Sequence, residues 1–290
     1  MLLLTGATGL VGTAVLRRLV SRGEPVRCLV RDARRLGAER VRVQLAIGDL
    51  SDPPSWRHAL RGVRTVVHLA ATERDQPRAT IEEIDGLAAV RLLRAAERAG
   101  AERFLWLTPL GATPYHPARV PRAKALAEQA VAASSLPATT LAGSLVYAPG
   151  DRRLHRLERL ALLPALPLLG PGALTQPIWA DDVADCVLAA LERPARHERL
   201  ELAGPDVLAH RDVARLVLRA AGRRRRLLPV PAAVARPLLR AHEAAAGPTA
   251  FATWDEAQLA AATMLAAGGT ADAERLGVAP RRMADVLGAT

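Results

Sequence analysis

Residues 1–12 read MLLLTGATGLVG, and their order decides the fold. Met1 to Leu4 form a short apolar run, and Gly6, Gly9 and Gly12 follow at equal spacing. Leu10, Val11, Ala14, Val15, Leu19 and Val20 then recur at helical intervals. The pattern predicts a buried strand, a tight glycine turn and a helix. In such a unit Gly6 permits the turn, Gly9 lets a pyrophosphate approach the backbone, and Gly12 lets the helix pack on the strand. The free N–H groups at the helix start face the phosphates. Contacts to a dinucleotide are therefore expected from Thr5, Gly6, Thr8, Gly9, Leu10, Val11 and Gly12.

Outward from this turn, Pro25 to Val30 predicts a second strand that runs straight into Arg31 and Asp32. That is where a dinucleotide fold meets the adenosine ribose. A carboxylate there accepts from a free 2′-hydroxyl, whereas a guanidinium suits a 2′-phosphate. Arg31, backed by Arg34 and Arg35, favours NADP(H), and Asp32 keeps NAD(H) open. Val41 to Ile47 predicts a third strand ending in Gly48, Asp49 and Leu50; Asp49 can accept from the adenine amino group and Leu50 can lie against the ring. Thr65 to Leu69 predicts a fourth strand, and the small residues Ala70 and Ala71 after Leu69 leave room for the cofactor. His68 lies inside this apolar run and is expected to be a packed residue rather than a base. Ile84 to Ala99 predicts a helix stopped by Gly100, and Phe104 to Leu107 the next strand. Alternating strands and helices imply an α/β fold, a doubly wound parallel sheet of Rossmann type.

The 290 residues, half of them hydrophobic, suffice for a large core. No basic leader precedes the apolar start, and the most apolar stretch, Leu160 to Leu174, is broken by Pro164, Pro167, Gly170 and Pro171. A spanning helix is not expected, and a cytoplasmic location is. The two cysteines, Cys28 and Cys186, sit in apolar runs, so neither a metal site nor a disulfide framework is expected. The net charge of +11 comes from 40 basic residues of which Lys124 alone is lysine. Its arginines are scattered and only eight aromatics are present, which argues against a nucleic-acid partner. Peripheral contact with an acidic membrane or a respiratory complex stays open, with Arg223 to Arg226 the densest charge.

Taken together, TGATGLVG, LVRD, GDL, HLAA, SLVYAPGD and PIWADDVADCVLAAL are similar to the atypical short-chain dehydrogenase/reductase family, of the NAD-dependent epimerase/dehydratase-like kind. The branch they resemble holds the NAD(P)H-binding accessory subunit of respiratory complex I and its bacterial relatives. The resemblance implies a Rossmann domain over residues 1–150, to which 175–195 returns, and a smaller C-terminal α/β domain over 151–290 on the substrate side. Active members use a tyrosine and a lysine four residues apart, with a nearby serine or threonine. Lys124 matches the lysine, but Val120 stands at the tyrosine position. Leu110 or Pro109 stands at the hydroxyl position, with Thr108 just before. The usual proton relay is missing. Lys124 is thus expected as a contact to the cofactor ribose and as a candidate acid/base, with Tyr115 a remoter stand-in. The resemblance also places Gly143, Leu145 and Val146 beneath the nicotinamide.

In the second half, Thr139 to Val146 predicts a strand and Asp151 to Leu163 a helix. Asp181 or Asp182 is expected to cap a helix over Val183 to Leu191. Arg199 to Ala203 and Leu227 to Val230 read as strands of the small domain. The expected function is a protein that binds NADP(H) in a structural, regulatory or redox-sensing role. The alternative is an NADPH-dependent reductase of a carbonyl or quinone, with Lys124 or a water as proton source and an unknown small-molecule substrate.

Overall fold

The computed structural model describes residues 1–289. Its centre is a sheet of seven strands: β1 (Leu2–Thr5), β2 (Val26–Val30), β3 (Gln44–Ile47), β4 (Thr65–His68), β5 (Arg103–Pro109), β6 (Ala138–Gly143) and β7 (Glu198–Leu202). They lie in the order β7-β6-β5-β4-β1-β2-β3, every neighbouring pair parallel. Successive residues of a strand face opposite sides, so Leu3 and Leu4 bury into two separate cores. On Leu4's side pack α1 (Leu10–Ser21) and α5 (Ala180–Glu192). On Leu3's side pack α2 (Ala88–Arg98) and α3 (Arg119–Ala132), around Trp56, Phe104 and Trp106. Strand order reverses beside β1, which opens a crevice at the carboxyl end of the sheet, where a doubly wound fold binds its ligand.

A smaller unit packs α4 (Arg152–Leu160) and α6 (His210–Ala220) against a two-stranded parallel ribbon, Ala165–Leu168 with Arg226–Pro229. Leu154, Leu157, Leu166, Val213 and Val217 fill its core. Beyond it come α7 (Ala232–Ala246) and α8 (Trp254–Ala260). The chain then runs back across the crevice. The Met264 N–H donates to the Leu174 carbonyl at 2.8 Å, and the Ser144 hydroxyl donates to the Met264 carbonyl at 2.7 Å. Residues 250–267 form a strap joining both units.

Several boundaries differ from expectation. The strand expected from Val41 begins at Gln44, because Ala33–Val41 winds as a 3-10 helix kinked at Gly37, leaving Val41 exposed. The helix expected from Ile84 opens with a π turn over Glu82–Leu87. The run from Thr139 breaks after Gly143, where Ser144 turns its N–H to the Leu202 carbonyl; Val146–Tyr147 pairs separately with Ile178–Trp179. Neither Asp181 nor Asp182 caps α5. Both lie in its first turn, Trp179 takes the cap position, and Asp182 is buried on Arg281 at 2.7 Å. The strand expected in the small domain near Arg199 is instead the edge of the large sheet, so the return to that sheet extends through Leu202.

Candidate functional site

The crevice is built from the glycine turn outward. Gly6 has φ +73°, in the left-handed region, and a Cβ there would stand 2.5 Å from the Ala70 nitrogen. A Cβ on Gly12 would stand 2.0 Å from the Gly6 carbonyl oxygen. The Gly9 N–H donates to that same oxygen at 2.9 Å and fixes the turn. α1 starts at Leu10 with no side-chain cap and no acidic residue in its first turn. Its leading N–H groups therefore keep their donors, and with the helix dipole they suit a pyrophosphate. The cradle fits a dinucleotide because only glycine leaves it open. Of the other expected contacts, Leu10 is exposed, Thr8 half-buried, and the Val11 side chain belongs to the core.

At the adenosine end Arg31 is exposed beside Asp32. The Asp32 carboxylate is engaged elsewhere. It accepts from the Arg34 backbone N–H at 3.0 Å, capping the 3-10 helix, and from the Arg34 guanidinium at 3.1 and 3.2 Å. These Arg34 contacts hold Asp32 below the usual carboxylate range. Asp49 accepts from the Ser51 N–H and hydroxyl at 3.0 and 2.8 Å, and Leu50 packs partly against the core.

Behind the turn, Thr5 and His68 are fully buried and bonded, Oγ1 to Nδ1 at 2.7 Å. Burial, reinforced by the Lys124 charge, pushes the imidazole down to about 3, so His68 stays neutral and structural. Leu69 packs on the α1 core, and Ala70 meets the open face of Gly6. Ala71, next in the chain, is exposed. Thr108 is buried with its hydroxyl unpartnered.

Lys124, on α3, is 1% exposed. Its ammonium lies 3.2 Å from Asp85 Oδ1, donates to the Leu107 carbonyl at 3.3 Å, and stands 5.1 Å from the Trp106 ring centroid. Asp85 is wholly buried on the π turn and accepts from the Thr72 N–H at 3.1 Å. Burial pushes its carboxyl up, opposed by the Lys124 charge. Tyr115 is 93% exposed, so its phenol stands in solvent and not against the buried ammonium.

Val120, one turn before Lys124, and Leu110 are both buried. They share one apolar cluster with Ile81, Leu259, Ala262 and Met264, the last three from the strap. Val120, expected at the tyrosine position, and Leu110, one of the two residues expected at the hydroxyl position, are thus where the strap packs. Gly143, Leu145 and Val146 line the same end of β6, with Leu145 turned into the small unit's core. Ser144 fastens the strap there, since its hydroxyl also accepts from the Gln176 N–H at 3.0 Å.

Ion pairs hold the strap's other end. Glu256, 2% exposed, receives Arg74 on both oxygens at 2.7 and 2.8 Å and Arg156 at 3.1 Å. Burial alone would raise its pKa, but Arg156 and Arg74 hold it below the ordinary value. Arg119 joins Asp75, Glu82 and Asp255 within 3.2 Å.

Residues 6–194 match the family described as NAD(P)H-binding. The chain belongs to that family. Among its relatives, an NAD(P)H azoreductase of Xenophilus azovorans is 30% identical over 233 residues, covering 77% of this chain and 74% of the relative. Subunit 9 of the NADH dehydrogenase (ubiquinone) 1 alpha subcomplex of Arabidopsis thaliana is 28% identical over 227 residues, covering 73% of this chain and 56% of the relative. A solved nucleoside-diphosphate-sugar epimerase of Staphylococcus aureus superposes with TM-score 0.78 at 19% identity, covering 99% of both chains. That likeness speaks for the fold. NAD(P)H binding in the family agrees with the glycine cradle, the feature of this chain that a dinucleotide requires.

Two parts of the site were not foreseen. Asp85 is one: a carboxylate on the apolar face of IEEIDGLAAV needs a buried cation, and Lys124 is the chain's single lysine. The strap is the other, and nothing in its alanine-rich sequence says where it lands.

Proposed function

We propose that the protein binds NADP(H) and retains it in a structural, regulatory or redox-sensing role beside a membrane-associated complex. The observation that carries this reading is the packing of Val120 and Leu110 beneath Leu259 and Met264. The first N–H groups of α1 would hold the pyrophosphate, Arg31 with Arg35 the 2′-phosphate, and Lys124 the ribose on the nicotinamide side. Arg34 supports the 2′-phosphate choice by occupying the carboxylate that would otherwise accept from a 2′-hydroxyl. A bound reduced nicotinamide supplies a hydride. Turnover also needs a proton donor facing the acceptor, and the side chains at 110 and 120 carry none. The relative named as a subunit of the NADH dehydrogenase (ubiquinone) 1 alpha subcomplex supports a place beside a multisubunit complex.

A second reading, an NADPH-dependent reductase with Lys124 or a water as proton source, is favoured by the similarity to the azoreductase. Native mass spectrometry of protein purified without added nucleotide, followed by titration with NADPH and NADH, tests the first reading. Co-purified NADPH, or tighter binding of NADPH than NADH, is the expected result. A protein that takes up neither nucleotide contradicts it.

A further inference from the structure

The outer face of the small unit combines unpaired arginines with exposed leucines. Residues 213–242 contain eight arginines and no aspartate or glutamate. Among the described residues, Arg219, Arg223, Arg224, Arg226 and Arg236 have no carboxylate within salt-bridge distance. Arg225 donates from Nε to the Ala161 carbonyl at 2.9 Å, which sets the arginine run beside Leu162 and Leu163, 64% and 46% exposed. Helix α7 continues this face. Ala235 and Leu239 turn inward, while Val234, Leu238, Ala241 and Ala245 form an exposed stripe at intervals of three and four. At the end of α7, His242 accepts from the Phe251 N–H, and the Arg159 guanidinium lies over the Phe251 ring. The helix end is thereby close to the last turn of α4, just before Leu162.

We infer that this face docks on an anionic lipid surface, with the leucines entering the headgroup layer and the arginines meeting lipid phosphates. The inference deepens the reading of a place beside a membrane and does not depend on dinucleotide binding. A second copy of the chain is a poor occupant, because a two-fold contact would set the same arginines against one another. Nucleic acid fits poorly too, since residues 213–242 offer no phenylalanine, tyrosine or tryptophan ring to stack on bases. No described helix is long and apolar enough to cross a membrane, so the contact is with the surface.

Flotation of the full chain with vesicles tests this. Vesicles of equal parts phosphatidylglycerol and phosphatidylcholine should carry the protein, and phosphatidylcholine alone should not. Replacing Arg223, Arg224, Arg225 and Arg226 by Gln should weaken partitioning on the order of a hundredfold. Leu238→Asp with Val234→Asp should weaken it about tenfold. The variants' circular dichroism and nucleotide titration, unchanged from the parent, show that the fold is intact. Equal binding to both vesicle types, or no loss in either variant, overturns the inference. Failure to float while native membranes still retain the protein also overturns it, and points to an acidic protein partner with peripheral association preserved.

Discussion

The two halves of one crevice differ. At the dinucleotide half, the turn from Gly6 to Gly12 leaves open backbone, and α1 begins with unclaimed donors. At the other half, Val120 and Leu110, expected from the resemblance at the tyrosine and hydroxyl positions, are buried under the strap. An unpacked second half would leave polar or empty space there. Here it is packed apolar surface, fastened by Ser144 at one end and by Glu256 with its arginines at the other. On the proposed reading, the first half binds and the second closes the structure.

The contrast breaks first at the cradle. In Gly12→Val the side chain collides with the Gly6 carbonyl, which is backbone and cannot swing aside. NADPH affinity should fall at least about a hundredfold and stability by about 3 kcal/mol, read by nucleotide titration and urea unfolding. Next comes the strap. Glu256→Ala strands Arg74 and Arg156 and should cost about 3 kcal/mol. Because Glu256 titrates below its ordinary 4.5 in the folded chain, its contribution is complete above that pH. It is lost as pH falls through the lower folded value. Hydrogen-exchange protection at Thr253 to Leu259, corrected for the intrinsic exchange rate at each pH, should therefore fall on acidification, and Glu256→Gln should remove Glu256's share of that fall.

Smaller effects sharpen the comparison. Val120→Tyr restores the missing phenol but overfills the cluster with Leu259 and Met264, at about 1–3 kcal/mol. Thermal unfolding should show the loss, and reductase assays should show no gained turnover. Arg34→Ala releases the Asp32 carboxylate, so the preference for NADPH over NADH should drop about fivefold in paired titrations. Tyr115→Phe should change binding and stability less than about twofold, because that ring touches solvent.

The N-terminal half was legible because its signals are local. A glycine triplet between an apolar run and a helical period has few meanings, and the strands from Leu2 to Leu107 fall close to where the pattern puts them. The failures are non-local. ERLEL at 198–202 reads as a short strand from any sheet, and only the partner β6 decides which one. The 3-10 segment before Gln44 hides behind valines that look like strand. Leu259, Ala262 and Met264 belong to the site only because a segment far along the chain folds back over α3. Asp85 left a trace, a carboxylate on an apolar helix face, though its partner lies 39 positions away at Lys124.

The central claim is that the chain holds a reduced dinucleotide without a working proton relay. The most direct test adds azo, quinone and carbonyl acceptors in excess to the NADPH-loaded protein and follows the reduced ring's absorbance. The account predicts that the bound ring stays reduced whichever acceptor is offered. Consumption of many equivalents of NADPH per protein, at a rate set by the acceptor and lowered by Lys124→Ala, would contradict it.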